Sequence, residues 1–121
     1  MRNSLIDFSQ KHTLWALNSI YEELTSKYES PRRRDIIADY FGIVEAMSKQ
    51  LQSTSDYLKK MVKLGYDKKT DDRYKTRVED IITKIDRLVE FCADSKKKFE
   101  TMQDFKNFEQ CYIAEYKEFI K

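Results

Sequence analysis

The chain's only proline, Pro31, and one of its two glycines, Gly65, bracket a stretch that allows little except one long helix. Between them Ile37, Tyr40, Val44, Met47, Leu51, Thr54, Leu58 and Met61 recur in alternating steps of three and four. That spacing draws an apolar stripe along one face of a helix. Ser30 is placed to cap the first amides, Pro31 suits the first helical position, and Gly65 suits a left-handed turn after the last. A helix of this length extends roughly 50 Å at 1.5 Å per residue and sets the length of whatever packs on it. Arg32, Arg33 and Arg34 stand at its start, where the dipole is positive and cations are unfavourable. A bend is expected near Ser53, Thr54 and Ser55, whose side chains compete for backbone hydrogen bonds.

Three further helices are expected. The first runs from Asn3 or Ser4 to Tyr28, with Leu14, Leu17, Tyr21, Leu24 and Tyr28 as its seam, Ile20 beside it, and Leu5, Phe8, His12 and Trp15 nearer the start. It should stop at Glu29, because proline disfavours helical geometry in the residue before it. A loop is expected over residues 65–70, followed by a helix capped by Thr70 with Asp71 and Asp72 in its first turn. The seam of this third helix reads Tyr74, Val78, Ile81, Ile85, Leu88 and Cys92, and next reaches Ser95. The phase slip there places a break or a strong bend between Asp94 and Thr101. Helix four then spans Thr101 to Ile120 and buries Phe105, Phe108, Tyr112, Tyr116 and Phe119. The fold class is therefore all-α, a single domain over residues 1–121. Short connections imply an antiparallel up-down-up-down four-helix bundle with a long second helix.

Composition narrows the function. With 36% charged residues and no run of about eighteen apolar ones, nothing spans a membrane, and a cytoplasmic setting is expected. The two cysteines, Cys92 and Cys111, read as free thiols in apolar surroundings, with a disulfide between them as the less favoured alternative. Gly-rich phosphate loops, paired cysteines and His-Glu-x-x-His motifs are absent from the sequence. The single histidine, His12, reads as a seam-edge residue, and adjacent acids such as Glu22 and Glu23 point about 100° apart on a helix. No metal, cofactor or catalytic residue is expected, and the chain does not read as an enzyme.

The charge balance is informative by position. Residues 31–70 carry nine cations against five anions, whereas the other segments are balanced or slightly acidic. In the expected bundle Arg32, Arg33 and Arg34 share a pole with Lys96, Lys97 and Lys98. The opposite pole gathers Lys59, Lys60, Lys63, Lys68, Lys69, Arg73, Lys75 and Arg77. Lysines at helix C-termini complement the dipole and need no further reason. The arginines at a helix N-terminus lack that reason, and their forks suit phosphate oxygens. The six cations Arg32–Arg34 and Lys96–Lys98 are therefore the candidate site for a protein partner or for nucleic acid held by its backbone, without sequence reading.

The run Leu14-Trp15-Ala16-Leu17, the Pro31-Arg32-Arg33-Arg34 turn and the stretch from Arg87 to Asp94 resemble the accessory variability protein of diversity-generating retroelements and related small four-helix-bundle proteins. Helices two and three are longer here, and the chain is less basic. The resemblance implies a ring-forming homo-oligomer that binds a reverse transcriptase and nucleic acid, with Arg32 best matched to the family pattern. The reading that follows is a non-enzymatic adaptor acting through a basic pole. The alternative is a small inhibitor, immunity or phage anti-defence protein that occupies a partner's site. Exposed tyrosines would then carry much of the binding, and helix four offers an oligomer interface.

Overall fold

The computed structural model describes the backbone of residues 4–64 and 72–121, and the side chains of residues 8–64 and 75–121. The described residues form four helices and no strand: α1 (Ser4–Thr25), α2 (Arg33–Lys63), α3 (Asp72–Thr101) and α4 (Phe105–Phe119). The expectations for Gly65, for the 65–70 loop, for the cap at Thr70 to Asp72, for Leu5 and for Tyr74 lie outside the described side chains, as do those for Lys68, Lys69 and Arg73 at the second pole.

The α1–α2 turn is tighter than the sequence suggests. Helix α1 stops at Thr25 rather than Tyr28. Residues 26–29 leave the helix because the Arg33 guanidinium donates to the carbonyls of Ser26 (3.3 Å) and Tyr28 (3.1 Å). Helix α2 begins at Arg33, two residues past Pro31. Ser30 still serves the entry: its hydroxyl accepts from the Arg32 amide at 3.1 Å and its carbonyl from the Arg33 amide at 3.0 Å. Those bonds close a turn across Pro31 before the helix starts, and Arg32 occupies the cap position without a side-chain cap bond.

Helix α2 is continuous through Ser53-Thr54-Ser55. Thr54 donates to the Gln50 carbonyl, and Ser55 turns inward to donate to Asp86 at 2.7 Å. The buried stripe is Ile37, Phe41, Val44, Leu51 and Ser55, so Phe41 and Ser55 take the places expected for Tyr40 and Thr54. On α1 the buried positions are Ser9, Thr13, Ala16, Leu17, Ile20 and Leu24, whereas Leu14, Trp15 and Tyr28 are exposed. Leu17, Ile20 and Leu24 on α1 and Ile37, Val44 and Leu51 on α2 are buried as expected, and the other buried positions lie one residue from the expected ones. The reason is common to both: a small or hydroxylic residue fills the closest approach, and the larger ring sits at the edge.

Helix α3 is also uninterrupted, so the expected break before Thr101 is corrected. Ser95 is 2% exposed and continues the seam of Ile85, Leu88 and Cys92 as a small residue. The chain turns at 102–104, where the Asp104 carboxylate accepts from the Lys106 amide at 3.0 Å and caps α4. Helix α4 buries Phe108, Tyr112 and Tyr116 and half-buries Phe105 and Phe119.

Aromatic rings join the helices at the level of α4. Phe41 meets Phe99 (5.1 Å), Phe108 and Tyr112, and Phe91 stacks on Phe119 at 4.4 Å. Offset and edge-to-face pairs at these separations add to the area they bury. The Tyr112 hydroxyl donates to the Leu17 carbonyl at 2.6 Å, which ties α4 to α1.

Candidate functional site

The six candidate cations meet different fates. Arg33 is 7% exposed and is the hub of the α1–α2 turn. Its Nη1 donates to Glu109 of α4 at 3.3 Å, and its Nε lies 3.5 Å from Glu23 of α1 without the alignment of a hydrogen bond. With the carbonyls of Ser26 and Tyr28 added, one guanidinium links three helices and the turn between two of them. A charge this buried needs such partners, and they hold the fork inside the protein rather than toward a ligand.

Lys96 pairs with Glu100 at 2.6 Å and with Glu45 of α2 at 3.7 Å, while Lys98 pairs with Glu115 of α4. Hydrogen bonding to Glu100 and Glu115 holds both ammonium groups above the usual lysine range. Burial pushes the Glu115 carboxyl up, but the hydrogen bonds from Lys98 and Cys111 outweigh it and leave the group below its usual value.

The other three are open. Arg32, Arg34 and Lys97 are exposed, and none has an ion-pair partner among the described residues. Arg34 lies over the Phe105 ring, 5.4 Å from its centroid, and Phe105 in turn meets Phe99. A cation on a ring face stays charged and keeps its outer N–H groups free. Close by, Lys106 pairs with Glu29 at 3.6 Å, which joins the start of α4 to the α1–α2 turn. The geometry brings Arg34 beside the end of α3 and the start of α4.

Neither the buried role of Arg33 nor its partner Glu109 is legible from the charge run. A lone acid within the α4 seam, between Phe108 and Tyr112, was the available signal for a buried counter-ion.

Chemistry elsewhere is sparse. A shallow groove of about 470 Å³ between α3 and α4 is lined by Arg87, Phe91, Asp94, Lys98, Glu115 and Phe119 among others. Arg87 there lies over the Phe119 ring and donates to its carbonyl, so the groove's cations are already engaged. Cys111 donates to Glu115, and burial pushes its thiol up; burial also pushes the Cys92 thiol up to about 12. His12 is half-buried between the rings of Phe8 (4.6 Å) and Trp15 (6.0 Å), an edge residue as the sequence suggests. Among the described residues no group of three or more His, Cys, Asp or Glu could hold a metal, and no helix is long and apolar enough to cross a membrane. No protein family, curated protein or solved structure matches the chain.

Proposed function

We propose that the protein is a non-enzymatic, cytoplasmic adaptor built as an antiparallel up-down-up-down bundle, and that it binds an anionic partner through the pole carrying Arg32, Arg34 and Lys97. The order of the cross-helix contacts supports the bundle: Ser9 with Gln50 and Glu23 with Arg33, then Phe41 with Phe99 and Ser55 with Asp86. One observation carries the function. Among the described residues four exposed cations near this end, Lys27, Arg32, Arg34 and Lys97, have no ion-pair partner, and Arg32 and Arg34 stand at a helix N-terminus where the dipole opposes them. Arg33, Lys96 and Lys98 act as positioning groups that fix this end rather than as contacts.

The partner this chemistry fits is a nucleic-acid backbone, including that of a reverse-transcriptase template if the accessory-protein reading holds. Two or three phosphate contacts on duplex DNA give a salt slope of about 1.8 to 2.7, so affinity falls about twelve- to fortyfold between 50 and 200 mM salt. Binding of labelled single-stranded RNA and duplex DNA should show that slope, and the variant with Arg32, Arg34 and Lys97 changed to Ser should lose it. Wild-type protein without salt-dependent binding refutes the reading.

A second reading rests on the exposed side chains Tyr28, Tyr57 and Leu64, each at least 60% accessible. The two tyrosine rings among them suit an inhibitor or immunity protein that occupies a partner's site. Recovery of one stoichiometric protein, with no nucleic acid retained, favours it over the first.

A further inference from the structure

Helix α4 packs on α1 and α3 but covers only part of each. It has 15 residues, against 30 in α3. Its far end is fixed at a definite level on both neighbours. On α3, Phe119 stacks on Phe91 and has the Arg87 guanidinium 4.2 Å from its ring centre. On α1, Tyr116 meets Tyr21 at 5.2 Å and donates its hydroxyl to Asn18 at 3.2 Å. Beyond that level α3 extends back to Asp72 and α1 back to Ser4, with no α4 against them. The uncovered stretch of α3 is about 22 Å long, roughly four helical turns.

The core opens at the same level. Leu51 and Ser55 of α2 are fully buried, whereas Leu58 and Val62, seven residues on, are half-buried. Ile85 and Leu88 of α3 are buried, whereas Val78 and Ile81, seven residues earlier, are half-buried. Seven residues nearly complete two turns, so each pair shares a face and only its cover differs.

Charge along this opening has one dominant sign. The α3 stripe that meets α4 at Phe91 contains Lys98 seven residues later and Lys84 and Arg77 at steps of seven before it. Where α4 is present, Lys98 has an acid of α4 to meet, Glu115. Where α4 is absent, Lys84 and Arg77 are exposed and have no ion-pair partner among the described residues. On α1, the stripe that meets α4 at Asn18 continues to Lys11, which is likewise exposed and unpaired. Asp80, seven before Arg87, is the one acid beside them among the described side chains.

We propose that the space in line with α4, beyond Phe119, takes an acidic amphipathic helix from a partner protein. Its apolar face covers Leu58, Val62, Val78 and Ile81, as α4 covers Leu88. Its acids meet Lys84, Arg77 and Lys11, as Glu115 of α4 meets Lys98. An amphipathic helix laid in an apolar groove is a common mode of recognition, and rim charges of opposite sign select its partner. This opening lies at the other end of α3 from Lys97, and the inference does not rest on the basic-pole reading.

A labelled synthetic peptide of about 15 residues, with Leu on one helical face and Glu on the rest, tests it by fluorescence anisotropy with the full chain. The peptide should bind, and one of the same composition with its leucines scrambled should bind at least tenfold more weakly. Lys11→Glu, Arg77→Glu and Lys84→Glu together should keep the helical circular dichroism and weaken binding at least tenfold. That triple variant should instead bind the peptide with Lys in place of Glu. Changing Arg32, Arg34 and Lys97 to Ser should leave peptide binding unchanged, which separates this site from the basic pole. No binding of the acidic peptide overturns the inference, as does equal binding by the parent and the triple variant. A triple variant that binds the peptide normally but loses RNA binding, or loses self-association, also overturns it.

Discussion

Replacing Arg33 by alanine should unfold far more of this protein than an exposed arginine in a charge run could. The side chain is 8% accessible, and its removal leaves Glu109, 10% accessible, as a buried carboxylate with no cation. Breaking a buried pair from one side costs about 3–5 kcal/mol. The contacts here, 3.3 Å to Glu109 and 3.5 Å to Glu23, are longer than good charge-assisted bonds, which argues for the lower figure. The Ser26 and Tyr28 carbonyls also lose donors, but these residues are exposed and water can replace the guanidinium. We therefore expect about 3 kcal/mol in urea unfolding, and a Tm lower by about 10–15 °C for a domain of this size. Arg32→Ala, two atoms of backbone away in chemistry but outside the clamp, should stay within about 0.5 kcal/mol of the parent. The decisive variant carries Arg33→Met together with Glu109→Leu, which removes both charges and should recover most of the loss. An Arg33→Ala variant costing under about 1 kcal/mol, or a double variant no better than the single, would refute the clamp.

Four smaller expectations follow from the same packing. Tyr112→Phe deletes the hydroxyl bonded to the Leu17 carbonyl and should cost about 1 kcal/mol in the same urea assay. Asp104→Ala removes the α4 cap, and about 1 kcal/mol with greater amide exchange in the first turn of α4 is expected. Hydrogen bonds from Ser55 and Lys59 hold the Asp86 carboxyl below its usual range. The unfolded chain therefore takes up that proton first, so the stability Asp86 confers is present above about pH 4 and is lost as pH falls from there through the lower folded value, and Asp86→Asn should flatten the acid limb of a stability curve. With its thiol pushed up to about 12, Cys92 should resist iodoacetamide at pH 8 in the folded protein and react at once in urea.

Periodicity made the helices legible, and it made the seam of α4 legible to the residue, because large rings at steps of three and four leave one face to choose. On α1 and α2 it placed Leu17, Ile20, Leu24, Ile37, Val44 and Leu51 in the core but misplaced the positions between them by one residue. There the interior accepts Thr13, Ala16 and Ser55 at the closest approaches and turns Trp15 and Tyr40 to the rim, a choice made by backbone distance rather than by hydropathy. It also read Ser95 as a break where the packing needed a small side chain. The candidate site was half legible. A run of three arginines announces a basic end, but which arginine faces inward depends on Glu109, which is distant in sequence and marked only by its place between Phe108 and Tyr112.

That separation has a consequence for the order in which the chain is made. Arg33 and Glu109 are 76 residues apart, so at about 5–20 residues per second the ribosome releases the acid several seconds after the base. Through that interval Glu23, already synthesised, is the only acid of the clamp within reach. The α1–α2 hairpin must therefore wait with one of the two acids of its clamp missing, and the arrival of the last helix completes the clamp as well as the core. Nascent chains halted before Glu109 should hold the hairpin loosely, and slow synthesis between α3 and α4 should lengthen the period in which proteases can cut it.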